Sequence, residues 1–150
     1  MTSWQEFTAG LTEHLATLPA GAVVIIAEAE SWTDRQRFAQ FRRTDTEIIA
    51  ELSDEEPLAS ESNLGRELLT EAGWRTPQAD HMGNWWFELP WPADSSGCHR
   101  LAAMITSGLR EALRIPEPSA LTYTAWNERQ GNRGMDLPLL GLSPNTTSAR

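Results

Sequence analysis

Apolar residues recur at helical spacing near the start of the chain, where Trp4, Phe7, Leu11, Leu15 and Leu18 form one stripe. Ser3 and Glu6 bracket its beginning as a capping box, in which hydroxyl and carboxylate each satisfy an orphan amide. Pro19 and Gly21 stop it. The pattern then changes. Ala22-Val23-Val24-Ile25-Ile26-Ala27 is a continuous run rich in β-branched residues and of strand length. From Arg37 to Arg43 the chain alternates, with Phe38 and Gln40 on one face and Ala39 and Phe41 on the other. Thr44-Asp45-Thr46 is a tight connection into Glu47-Ile48-Ile49-Ala50-Glu51-Leu52. Three consecutive strands joined by polar loops predict an antiparallel meander.

An acidic loop follows from Ser53 to Ser62, and Leu64, Leu68, Leu69 and Ala72 mark a second helix that Gly73 can cap in the left-handed conformation. Arg75 to Gly83 is polar and irregular in pattern. Trp85, Phe87, Leu89 and Trp91 then alternate with Trp86, Glu88 and Pro90, as a strand requires. Pro90 lacks an amide donor, so this strand ends there or lies at a sheet edge. Asp94 or Ser95 can cap a third helix with the stripe Cys98, Leu101, Ala102, Ile105, Leu109 and Ala112, closed by Pro116 and Pro118. Leu121-Thr122-Tyr123-Thr124-Ala125-Trp126 reads as a last strand.

The predicted class is α+β: a single antiparallel sheet of about five strands with helices packed on it, in the order α-β-β-β-α-β-α-β. One domain is expected over residues 1–128. Residues 129–150 are rich in Gly, Asn, Pro, Ser and Thr, and are expected to form a mobile tail that cannot offset its ordering entropy by burial. Met135, Leu137, Leu139, Leu140 and Leu142 run against that expectation, because such a patch can dock on the body or on a partner.

The aromatic density is concentrated. Four of the seven tryptophans fall between Gly73 and Trp91. Side chains of this kind bury large areas and favour interfaces where one edge stays wet. Strand alternation turns Trp85, Phe87, Leu89 and Trp91 mostly inward and sets Trp86 on the other face beside Glu88. An exposed tryptophan there marks a contact surface. Trp86 is the first candidate for partner contact, followed by Trp91, Trp74 and Glu88.

Charge narrows the function classes. The formal net charge is −9, with twelve arginines and no lysine. Phosphate-backbone binding needs a positive surface to release counterions, so nucleic acid is not the expected partner. Arg35, Arg37, Arg42 and Arg43 cluster, but beside Asp34, Asp45 and Glu47 they read as solvated strand and turn positions. No apolar run approaches the roughly 18 residues needed to span a bilayer, and the N-terminus lacks the features of a signal peptide. A single cysteine excludes an intramolecular disulfide framework and fits a reducing compartment. A cytoplasmic protein without membrane contact is expected.

Residues with chemical potential do not assemble into a site. Cys98-His99, with His81 and Asp94 nearby, suggests a thiol nucleophile or a zinc site, but structural zinc wants ligands at recognisable spacing. Cys98 falls on the apolar stripe of the third helix, where a buried inert thiol is the usual outcome. Asp54, Glu55 and Glu56 are adjacent acids on a polar loop with no carboxylate placed opposite them. Gly131-Asn132-Arg133-Gly134 lacks the lysine and helix of a phosphate loop. Asn145-Thr146-Thr147 is a glycosylation sequon only for a secreted chain. No catalytic residue, metal ligand or cofactor is predicted.

The order of elements, together with several short motifs, resembles the type III secretion chaperone-like domains, the TY-Chap/YbjN-like group. The matching residues are Phe38 to Phe41, the Glu51 region, and Ser62-Asn63 with Leu64. Ala72-Gly73-Trp74-Arg75-Thr76-Pro77, Asn84-Trp85 and Pro118-Ser119-Ala120-Leu121-Thr122-Tyr123 complete a match over roughly residues 3 to 127. The resemblance implies an α+β domain, often a homodimer, that binds proteins and catalyses nothing. It transfers no catalytic residues. The expected function is to hold a segment of a client protein on a sheet face, a strand edge or a helical groove. The acidic surface favours a basic client. The alternatives are an immunity-type inhibitor of a basic toxin and, last, a small enzyme using Cys98 or the acidic loop.

Overall fold

The structure, a computed structural model, describes residues 2–29, 37–53, 64–77 and 83–144. The first helix, α1 (Trp4–Ala16), starts at the predicted box: Glu6 N–H donates to Ser3 Oγ at 3.1 Å and Ser3 N–H to Glu6 Oε1 at 3.0 Å. The meander follows as β1 (Ala22–Glu28), β2 (Phe38–Arg43) and β3 (Glu47–Leu52). Next come α2 (Leu64–Ala72), β4 (Trp85–Pro90), α3 (Ser95–Ser107) and β5 (Leu121–Asn127). This is the predicted order. Two short strands beyond it, β6 (Arg133–Gly134) and β7 (Ser143–Pro144), bring the sheet to seven strands.

The sheet runs β4-β3-β2-β1-β5-β6, with β7 also joined to β5. Its long strands are all antiparallel, and among the described residues only the β5–β7 pair is parallel. Alternation sorts the side chains as a pleated strand must. Val24, Ile26, Ala39, Phe41, Ile48, Ala50, Leu52, Trp85, Leu121, Tyr123 and Ala125 share one face and one core. Phe7, Leu11 and Leu15 of α1, Leu69 of α2 and Leu101, Ala102 and Ile105 of α3 bury into that same core. The helices therefore lie on one side of the sheet.

Asp94 caps α3, accepting from Gly97 N–H at 2.8 Å. The helix continues as a wider turn over Gly108–Ala112, closed by Leu113 N–H donating to Gly108 C=O at 2.9 Å. The turn presses directly on β3: a methyl added at Gly108 would lie 2.8 Å from Leu52 Cδ2. Glycine removes that obstacle, and Leu109, Ala112 and Leu113 stay buried.

Beyond the last long strand the expectation of a tail is corrected. Residues 129–144 return to the body, where β6 and β7 pair with β5 and Leu137 and Leu140 are buried. Low average hydrophobicity hid a local pair of leucines with enough apolar area to dock. Residues 145–150 of the expected tail, including the sequon, lie outside the described residues.

Candidate functional site

The face of the sheet opposite the helices is built by the other half of each strand. Register places Trp86 across from Glu51, then Gln40, Ile25 and Thr124 in one transverse row. The next row is Glu88, Ile49, Arg42, Val23 and Trp126. Phe38, Ala27 and Thr122 add a third. With strands about 4.8 Å apart, a five-residue row spans roughly 19 Å. None of these residues joins the helix-side core. Val23, Ala27 and Ile49 are nearly buried, Trp86, Ile25, Phe38 and Trp126 are half-exposed, and Arg42 and Glu88 are exposed. The face thus carries a tryptophan toward each side, with Gln40 and Arg42 on its central strand, Ile49, Val23 and Ile25 beside them, and Glu51 and Glu88 toward the Trp86 edge.

Trp86 is held by its neighbours. Its Nε1–H donates to Thr76 C=O at 3.1 Å, and the Arg75 guanidinium stacks 5.0 Å from its ring centroid. Arg75 and Trp86 also form an isolated antiparallel bridge at the outer edge of β4. Glu88 sits two residues along the same face. Trp91 follows the strand, half-buried at the core margin, with the Arg43 guanidinium 4.6 Å from its ring centroid. Trp74 is different. Only 3% exposed, it donates from Nε1 to Met104 C=O at 3.3 Å, so it supports the fold and offers no contact surface. Of the candidates read from the sequence, the structure brings Trp86 and Glu88 together on one face, leaves Trp91 at the margin of the helix-side core and buries Trp74.

Each aromatic from Trp85 to Trp91 carries an arginine over its ring. Arg66 lies 5.1 Å from Trp85, and Arg100 lies 5.7 Å from Phe87, beside the Trp86 and Trp91 pairs. A planar guanidinium stacks on a ring in a way that an ammonium does not, for about 0.5–1 kcal/mol at exposed sites. This corrects the reading of the arginine cluster. Arg43 is a half-buried ring partner, and Arg37 is bound to Glu28, its Nε–H donating to Oε1 at 2.9 Å. That hydrogen bond holds the Glu28 carboxyl below the usual carboxylate range against the cost of burial. Arg42 is exposed, and Arg35 lies outside the described residues.

Cys98 is 1% exposed. Burial, and then the charge of Asp94, push its thiol above the ordinary value, which favours the unreactive protonated form. His99 is exposed and lines a shallow groove of about 560 Å³ between α1 and α3 with Thr8, Thr12, Glu13, Thr106 and Arg110. Among the described residues no group of three or more His, Cys, Asp or Glu stands close enough to hold a metal ion. No helix among them is long and apolar enough to cross a membrane. His81, Asp54, Glu55 and Glu56 lie outside the described residues.

Trp126, Ile49 and Val23 were not singled out from sequence. The alternation of the last strand carried the signal, because it puts Trp126 with Thr122 and Thr124, away from Tyr123. The arginine partners gave no local signal, since each comes from a different element. A family model, TY-Chap3, described as the T3SS (YopN, CesT) and YbjN peptide-binding chaperone 3, matches residues 1–127. No curated protein and no solved structure matches the chain.

Proposed function

Because the chain belongs to this family of peptide-binding chaperones, we propose that it holds an extended segment of a client protein against the outer face of its sheet. The observation that carries this reading is the one-sided packing of the helices. It leaves Trp86, Ile49, Val23 and Trp126 in adjoining rows away from the core, with no described helix over them. Tryptophan contributes large contact area at low entropic cost and is enriched among the residues that dominate binding energy at interfaces.

Glu47, Glu51 and Glu88 outnumber Arg42 on the strands of this face, and the whole chain carries −9. Both favour a client segment in which basic residues accompany apolar ones. The role in this reading is non-enzymatic: Cys98, the strongest candidate nucleophile, is buried, and burial pushes its thiol above the ordinary value, which disfavours the thiolate. Cytoplasmic residence and pairing as a homodimer belong to the same reading, and cell fractionation and light scattering test them.

The site is tested by selecting displayed 12-residue peptides against the full chain and mapping the bound peptide by amide chemical shifts. The reading expects shifts centred on Trp86, Ile49, Arg42 and Val23. Shifts centred on Thr8, Thr12 and Thr106 in the α1–α3 groove would assign the client to the helical side instead.

A further inference from the structure

The outer edge of β5 is filled along its length by the chain's own residues 133–144. Arg133 and Gly134 pair with Asn127 and Trp126, Met135 N–H donates to Ala125 C=O at 2.9 Å, and Ser143 and Pro144 pair with Thr122 and Tyr123. Between these ends Leu137 and Leu140 enter the core. Leu137 N–H donates to Tyr123 Oη and Leu139 N–H to His14 Nε2, each at 3.0 Å. Burial holds the His14 imidazole below its ordinary value, which keeps that nitrogen available as an acceptor. Close approach to α1 requires a glycine: a methyl on Gly10 would lie 1.8 Å from Leu139 C=O.

This arrangement has the form of a bound peptide. Main-chain hydrogen bonds run along a sheet edge, and two side chains three residues apart fill pockets. An uncovered edge strand is a ready template for another chain. The family match ends at residue 127, so the occupying segment lies beyond the matched domain. Leu139, between the two buried leucines, is 55% exposed, the large apolar side chain left in water among the described residues.

We propose that the β5 edge, with its pockets beside α1, is a second peptide-binding site that residues 133–144 occupy in cis as a displaceable strap. The partner it takes in trans is a client segment that pairs with the β5 edge at its ends and makes one tight turn between them, with leucines at i and i+3 and a small residue after the second, the pattern of Leu137, Leu140 and Gly141. The inference rests on the reading of the chain as a peptide holder, and adds that this edge opens only when the strap leaves.

The test uses the full chain and a fluorescein-labelled peptide of the sequence of residues 133–144. Leu140→Asp expels the strap and leaves the edge intact. Fluorescence polarisation is expected to show this variant binding the peptide at least about ten-fold more tightly than the wild type, because self-occupancy lowers apparent affinity by the closed fraction. Equal binding by the two proteins would overturn the proposal. A concentration-dependent dimer formed by exchanging straps between copies would overturn it too. Should Leu140→Asp fail to fold, hydrogen exchange on the wild type decides. Local opening predicts that the amides of Met135, Leu137 and Leu139 exchange much faster than that of Val24, and equal rates would contradict it. The outer face of the sheet can fail its own mapping while the β5 edge passes this test, and the reverse.

Discussion

Arg75 and Trp86 are joined twice. Arg75 N–H donates to Trp86 C=O at 2.8 Å and Trp86 N–H to Arg75 C=O at 3.2 Å, while the guanidinium stacks over the indole. The bridge covers part of the outer edge of β4, and the stack fixes the ring beside Glu51 on the face away from the helices. A tryptophan held in this way is preorganised, so little rotamer freedom remains to be lost on binding.

Trp86→Ala is expected to leave the fold intact. It removes the stack and the Nε1–Thr76 hydrogen bond, together about 1–2 kcal/mol, which lowers Tm by roughly 2–8 °C for a chain of this size. Trp85→Ala, one residue away but in the core, should cost about 3–5 kcal/mol through the cavity it opens. Thermal melts of the two variants check the difference. Equal losses would place Trp86 in the core.

Glu28 and Arg37 give stability a defined acid dependence. The folded-state value of Glu28 is depressed, so its contribution is complete above the unfolded carboxylate value of about 4.3 and is lost as pH falls through the lower folded value. Urea titrations should therefore show the wild type losing more stability than Glu28→Gln between neutral and acidic pH. Parallel losses would remove the ion pair from the account.

Cys98 should resist iodoacetamide in the native protein and react fully in denaturant. Burial both shields the thiol and raises its pKa, so little thiolate forms at neutral pH. Mass spectrometry checks this directly. Rapid native alkylation would reopen a thiol-based chemistry.

Gly10→Ala should loosen the C-terminal strap before it affects the sheet. The added methyl meets Leu139 C=O, and relief requires residues 138–140 to move off α1. The Leu139 amide should then exchange faster than in the wild type, with the amides of β1 unchanged. Uniform acceleration would mean that the strap and the core open together.

Much of the architecture was legible because it rests on local rules. The Ser3–Glu6 box, the alternation through Phe41 and the stripe through Leu101 each needed only a few neighbouring residues. The same alternation separated Trp86 from Trp85. What escaped depends on residues distant in sequence. Arg66 reaches Trp85 from α2 and Arg100 reaches Phe87 from α3, and no spacing encodes such meetings. Trp74 reads as an interfacial side chain until Met104 is seen to accept its Nε1–H. The strap escaped because Leu137 and Leu140 stand in a stretch whose composition is that of a loop.

The central claim is that a client segment lies on the outer face of the sheet with Trp86 as an anchor. The most direct measurement is the affinity of one display-selected peptide for the wild type and for Trp86→Ala, with the Tm of each protein recorded beside it. The account predicts binding weakened at least about ten-fold, a loss near 1.4 kcal/mol, in a variant that stays folded at the temperature of the titration. Unchanged affinity in a folded Trp86→Ala protein would contradict it.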